Sequence, residues 1–366
     1  MLQGGGALGA YQAGALEALV AAGRTPDWVA GISIGSINAA LIAGNPPGRR
    51  IERMRAFWDT VSADLPASSW LPDDGPIREW ANTGAAAYTA LFGAPAFFSP
   101  RPGALFWPGE LPNPSYFDTA PLRATLCELI DFDLINDDAA MRLSVGAVDV
   151  QKGNFCYFDN KQQRIGPEHI MASGALPPGF PAIEIAGRYY WDGGLVSNTP
   201  LRHVLNHVSA ESATVFQIDL FSARGELPRT MASVEEREKD IQYSSRTRMV
   251  TTMLRERHLM HQRLRELAAM LSAARRAAAE VRALLADIDD TAITLVHLIH
   301  RHMGGETQTK DFEFSRASMI GHWNSGRDDM AHTLKELARH AAPPEPGSFH
   351  VYDFTSVDHI ESGATS

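Results

Sequence analysis

After a Gly- and Ala-rich start, apolar residues recur at helical spacing at Tyr11, Ala15, Leu16 and Leu19. A Gly-Arg-Thr-Pro break follows, then the short apolar run Trp28–Ile32. The pattern predicts a loop, a helix, a strand, a sharp turn and a second helix over Ser36–Ala43. From about residue 60 to 120 the chain turns Pro- and aromatic-rich around Phe92, Phe97, Phe98, Phe106, Trp107 and Tyr116. That composition predicts a long covering loop with short helices, acting either as a lid or pocket wall or as an irregular packed insert. Strand signals return at Arg142–Val150 and Gly153–Asn160, joined by a Gln-Lys-Gly turn suited to a hairpin, and again at Thr214–Phe221. Glu235–Asp287 is nearly free of Gly and Pro and too long for one globular helix, so two or more helices are expected. Ala292–Met303 alternates like a strand, Lys310–Ala341 resumes a helical pattern, and the Pro-rich tail from Pro343 reads as a loosely held end. No fixed-period repeat interrupts this order.

A chain of 366 residues can hold a large α/β domain with an appended unit, or two domains with separate cores. Its 45% apolar and 21% charged residues are those of a globular protein. The formal charge of −10 repels nucleic-acid phosphates, so nucleic acid is not an expected partner. Cys127 and Cys156 are too few for a disulfide framework and wrongly spaced for a zinc knuckle, and read as packed thiols. No apolar run reaches the roughly 18 residues of a membrane span, and the start lacks the pattern of a signal peptide. The expected location is the cytoplasm, or peripheral attachment to a membrane at most.

The stretch "QGGGALGAYQAG", Gln3–Gly14, fits G-x-G-x-x-G at Gly4, Gly6 and Gly9, the turn that seats a dinucleotide pyrophosphate. A second motif, "GISIGS", places G-x-S-x-G at Gly31, Ser33 and Gly35, between an apolar strand and a helix. A serine on such a turn is pushed out of the sheet edge, as a nucleophile must be, and small neighbours let the backbone pass. Dinucleotide binding would need an acidic residue at the end of the second strand to take the ribose hydroxyls. That strand ends in Ser33, and Asp27 lies before it, at the wrong end. Glycines and serine are better read together, as free amides beside a nucleophile: the layout of an oxyanion hole in acyl transfer. No cofactor is therefore expected.

A nucleophilic serine needs a base. Asp192, followed by Gly193 and Gly194, ends an aromatic strand-like run; on its own it reads first as a surface Asp-Gly turn. His203 and His207 follow in hydrolase order but sit at i and i+4 of a helical pattern, which gives little support to a triad. His297 faces opposite to His300 and His302 in a strand, and no carboxylate or Cys completes a site, so no metal is expected.

In this order, "GGGALG", "GISIGS" and "DGG", the last followed by Asn-Thr-Pro, resemble the patatin-like phospholipases over roughly residues 1–225. The segment "MASGALPPGFPAIEIAGRYYWDGGLVSNTP" resembles the run into that family's Asp, and "KDFEFSRASM" resembles a domain of unknown function appended to a bacterial subset. The resemblance implies an α/β fold, a three-layer α/β/α core with a mostly parallel sheet, with a mainly helical C-terminal extension. It divides the chain into an acyl hydrolase domain at 1–225 with the aromatic cover at about 60–120, a helical domain at 226–345, and a tail at 346–366. It implies hydrolysis of carboxylic esters of lipids by a Ser-Asp dyad without histidine. Carried over, Ser33 is the nucleophile, Asp192 its base, and Gly4, Gly5 and Gly6 the oxyanion loop, with Gly9, Gly31, Gly35, Gly193 and Gly194 as motif glycines. The expected partner is a lipid or lipid-like ester, with peripheral contact to a lipid surface and self-association through the C-terminal helices left open.

Two departures stand out. Many relatives carry Lys or Arg just before the last glycine of the first loop, suited to a lipid phosphate, where this chain has Leu8. The strand expected before that loop is reduced to Met1 and Leu2. An acyltransferase or intracellular polyester depolymerase on the same dyad stays open, as does a scaffold protein with a vestigial hydrolase core.

Overall fold

The structure is a computed structural model that describes residues 1–62, 75–94, 96–103, 113–208, 210–244, 247–286, 291–301 and 310–354. Its elements in chain order are α1 (Ala10–Ala21), β1 (Trp28–Ile32), α2 (Ile34–Ala43), α3 (Arg50–Val61), α4 (Pro76–Phe92), β2 (Ser99–Pro100), β3 (Phe117–Asp118), α5 (Ala120–Leu129) and α6 (Phe132–Ile135). Next come β4 (Arg142–Asp149), β5 (Phe155–Asp159), α7 (Pro167–Ser173), β6 (Ile183–Ile185), β7 (Arg188–Asp192), α8 (Leu201–His207) and β8 (Ser212–Asp219). The remainder is α9 (Met231–Tyr243), α10 (Thr247–Met270), α11 (Ala273–Arg276), α12 (Ala279–Ala286), β9 (Ala292–Ile299), α13 (Arg316–His340) and β10 (Phe349–Asp353). The chain forms an α/β fold made of two compact units that do not follow sequence order.

The first unit comprises Met1–Pro200, Ile218–Ser245 and Ile299–Leu334. Its sheet runs β1-β4-β7-β6, with β5 also on β4. β1 lies parallel to β4, and Leu2 bridges Gly31 and Ile218, both in parallel. The pairs of β4 with β5 and β7, and of β6 with β7, are antiparallel. The sheet is thus mixed rather than mostly parallel, because a short turn such as Val150–Asn154 can join only antiparallel neighbours. Strand β4 is buried over nearly its whole length, as a strand covered on both faces must be. Helix α2 packs on β1 and β4, α7 packs on β4, β6 and β7, and α1, α3 and α5 extend these layers.

The aromatic cover carries more regular structure than its composition suggests. Residues 76–92 form the 17-residue α4, with Pro76 in its first turn and Gly93 as its C-cap. Its Ala-rich second half supplies helix propensity that the surrounding Pro and aromatic residues mask in the sequence. Phe106 and Trp107 lie outside the described residues.

The second unit comprises Leu201–Gln217, Arg246–Leu298 and Lys335–Ser366. Within it α10 is tied to α8 by Arg257 donating to Asn206 Oδ1 at 3.1 Å. The segment after Pro343 is not simply a loose end: Phe349–Asp353 forms β10, in parallel register with Ile293–His297 of β9. Pro343, Pro344, Pro346 and Gly347 punctuate the chain strongly enough to hide the short strand pattern behind them.

Candidate active site

The geometry starts at the end of β1. Ser33 follows the strand directly and is the N-cap of α2, with φ 54° and ψ −126°, a conformation that side chains other than glycine rarely adopt. Three contacts hold it there. Its amide donates to Ser173 Oγ at 3.0 Å, and its carbonyl accepts from Ser36 Oγ at 2.6 Å and from the Ser36 amide at 2.8 Å. Ser173 Oγ in turn donates to Gly146 O at 2.6 Å, linking the turn to β4. Gly31 and Gly35 permit the bend, since a Cβ on Gly31 would lie 2.2 Å from Gly35 O and one on Gly35 would lie 2.3 Å from Leu2 O.

The glycine loop leaves the sheet at Leu2, whose amide donates to Ala30 O and whose carbonyl accepts from Ile32. One residue later the fully buried Gln3 clamps the loop from several sides. Its side-chain oxygen accepts from the Leu220 and Phe221 amides, its side-chain nitrogen donates to Thr199 Oγ1 and Tyr243 O, and its carbonyl accepts from Gln12 Nε2. Gly4 packs against Ser33, because a Cβ there would sit 2.9 Å from Ser33 Cβ and 2.3 Å from Asn198 Oδ1. The Gly4 amide is already committed to Asn198 O at 3.3 Å. Among the described residues the amides of Gly5 and Gly6 have no acceptor, so they are the donors the loop still offers. Gly9 is a packing position against Ile34 and Trp58.

Asp192 ends β7 and caps the short 3₁₀ turn Gly193–Leu195, accepting the Gly194 amide at 2.7 Å. Gly193 packs closely on Gly146 O of β4. The Asp192 carboxylate is 2% exposed and stands beside the Ser33 side chain, which favours its charged form. Burial pushes its pKa up to about 7, against the opposing pull of the Ser33 side chain and the Gly194 amide. Two residues 159 positions apart therefore meet on one cavity wall, which Gly4, Gly5, Gly6 and Gly194 also line.

That cavity, about 80 Å³ in volume, is mostly apolar. Phe97, Phe98, Phe180 and Phe314 form a continuous ring cluster with centroid separations from 5.2 to 6.5 Å, and Leu122, Met171 and Leu176 extend the wall. Phe97 and Phe98 were candidates from the aromatic cover; both are buried and both face this space. Among the described lining residues the charged side chains are Asp192 and Asp311, and no histidine is present. His203 and His207 stack on each other in α8 at 4.5 Å, and the Leu8 side chain is fully buried away from the cavity lining.

Several site residues had no role assigned to them from the sequence. Asn198 donates to Gly4 O at 3.0 Å and to Tyr243 O at 2.9 Å. Burial, then the Asp311 and Asp192 carboxylates, push the Tyr243 phenol upward, so it stands within electrostatic reach of both. Asp311 is partly buried, and its carboxylate is paired with Lys239.

Two family models match the chain: patatin-like phospholipase over residues 1–205 and patatin phospholipase over residues 241–346. The chain belongs to the patatin-like phospholipases. Lipid acyl hydrolysis is the activity of that family in general, and the α/β fold described above is the one its membership implies. The crystal structure of VipD from Legionella pneumophila is similar to this patatin-like chain at 15% sequence identity and a TM-score of 0.40. The similarity covers 92% of this chain and 66% of that one, so this chain spans less than two thirds of its length. No curated protein matches.

Proposed function

We propose that this protein hydrolyses carboxylic esters of lipids through Ser33 and Asp192, with the amides of Gly5 and Gly6 stabilising the oxyanion. The observation that carries this reading is the convergence of Ser33 and the buried Asp192 carboxylate, 159 positions apart, on the wall of one apolar cavity. A carboxylate of ordinary pKa is too weak a base to take a serine proton near neutral pH, and burial removes much of that handicap. As Ser33 Oγ attacks the ester carbonyl, Asp192 takes its proton and the carbonyl electrons move onto oxygen, where backbone donors meet them. Collapse of this intermediate expels the alcohol, which leaves with the proton from Asp192. Water then attacks the acyl-serine, gives its proton to Asp192, and releases the carboxylic acid as Ser33 recovers its hydrogen.

The first-turn amides of α2 add a favourable field beside Ser33, because helix N-termini present unsatisfied N–H groups. The phenylalanine-rich wall supports an acyl chain as the bound part of the substrate. Labelling with a fluorophosphonate probe followed by peptide mapping tests the reading directly. Modification of Ser33, lost in Ser33→Ala together with turnover of a chromogenic ester, is the expected result. Undiminished hydrolysis by a folded Ser33→Ala protein rejects it.

A further inference from the structure

The segment Lys310–Phe314 lies within the second family-model match, far in sequence from Ser33 and Asp192, yet it forms part of the first unit and of the cavity wall. Phe314, 4% exposed, packs against Phe97 at 5.7 Å and Phe98 at 6.5 Å. Phe312, 37% exposed, lines the cavity nearer its mouth, with Lys239 Nζ 5.3 Å from its ring centre. Between them and the glycine loop stands the Asp311 backbone, whose carbonyl accepts the Ala7 amide at 2.9 Å. Approach there is so close that a Cβ on Gly6 would lie 2.1 Å from Asp311 O.

Ion pairs hold the segment to α9. Lys239 pairs with Asp311, and Lys310 pairs with Asp240 at 2.9 Å and Glu236 at 3.4 Å. At one end Arg316 pairs with Asp59 of α3. These pairs and the Ala7–Asp311 hydrogen bond hold the backbone that carries the two rings, which is what a size-selecting wall requires.

Building on the Ser33–Asp192 reading, we propose that Lys310–Phe314 is the acyl-selecting wall of the site. Phe314 limits the space beside the Phe97–Phe98–Phe180 cluster, Phe312 narrows the mouth, and the Asp311 carbonyl holds the glycine loop in register with that wall. The C-terminal family region thereby completes the substrate pocket that the N-terminal region begins.

The test compares the full-length wild type, Phe314→Ala and Phe312→Ala on nitrophenyl butyrate, octanoate, laurate and palmitate, with fluorophosphonate labelling of each protein. Removing a ring enlarges the pocket, so the laurate-to-butyrate ratio of kcat/KM should rise about tenfold in at least one variant, the scale on which a hydrophobic pocket discriminates chain size. Phe312→Ala, at a partly exposed position, decides the matter if Phe314→Ala fails to fold. Folded variants that label normally and keep the wild-type chain-length profile overturn this inference and leave the Ser33–Asp192 reading standing. A wild type that neither labels at Ser33 nor hydrolyses any ester overturns both.

Discussion

Ser173 Oγ accepts the amide hydrogen of Ser33 at 3.0 Å, and the same hydroxyl donates to Gly146 O at 2.6 Å. This buried hydroxyl is what ties a strained residue at the head of α2 to the middle of the central sheet. Ser173→Ala would leave a buried donor and a buried acceptor unmatched, each costing about 1–3 kcal/mol. The variant should lose stability in urea denaturation and should lose ester turnover by more than the unfolded fraction accounts for, because Ser33 drifts from its position. Full turnover in the remaining folded protein would show that Ser33 holds its conformation without Ser173.

How much of this was legible beforehand differs from residue to residue. Ser33 was legible because an apolar strand, a small-residue turn and a helical pattern sit side by side within Trp28–Ala43. Asp192 was not distinguishable by its local pattern from a surface turn, and only its resemblance to a family motif singled it out. The roles of Ser173, Asn198 and Gln3 were not legible even inside quoted motifs, because their partners lie 140, 194 and 217 positions away and a hydroxyl or amide reads the same in any loop. The Lys310–Phe314 wall was hidden for a related reason. The helical pattern reads back to Lys310, whereas α13 begins at Arg316 and the preceding segment is held by Lys239, Asp240 and Glu236 of α9.

The raised pKa of Asp192 links activity and stability to pH in opposite senses. With a folded value of about 7, the carboxylate is ionised, and able to act as a base, only above that pH. The kcat/KM profile should therefore climb through an acid limb with its midpoint near 7. Folding holds the Asp192 proton more tightly than the unfolded chain does, so between the ordinary carboxylate range and about pH 7 this group makes the protein less stable as pH rises. Asp192→Asn should be inactive yet melt higher than the wild type at pH 8, with the gap closing toward pH 4. A variant destabilised equally at both pH values would show that the buried charge is not a cost to the fold.

Gly6 has φ +55°, and any side chain there meets the Asp311 carbonyl. Gly6→Ala should therefore move the loop or the Lys310–Phe314 segment rather than unfold the core. Displacing the donors of an oxyanion site costs on the order of a hundredfold in kcat, and kcat should fall by that order while KM changes less. Steady-state kinetics alongside near-UV circular dichroism checks the split. A loss confined to KM would place the glycine loop in substrate binding instead.

Asn198 offers a way to tune Asp192, the proposed base, from outside. The side-chain oxygens of Asn198 and Asp192 each lie 3.1 Å from the point where a Gly194 side chain would begin, which puts them at most about 6 Å apart. Asn198→Asp would introduce a second carboxylate at that separation in a buried site, and a like charge there disfavours ionisation of Asp192. It would also replace the donor to Gly4 O and Tyr243 O by an acceptor, so the loop loses a clamp at the same time. The acid limb of kcat/KM should shift above pH 7, whereas Asn198→Ala, which removes the clamp without adding charge, should lower turnover and leave the midpoint near 7. Measured pH profiles of the two variants separate the effects, and coincident midpoints would mean that Asp192 does not set the acid limb.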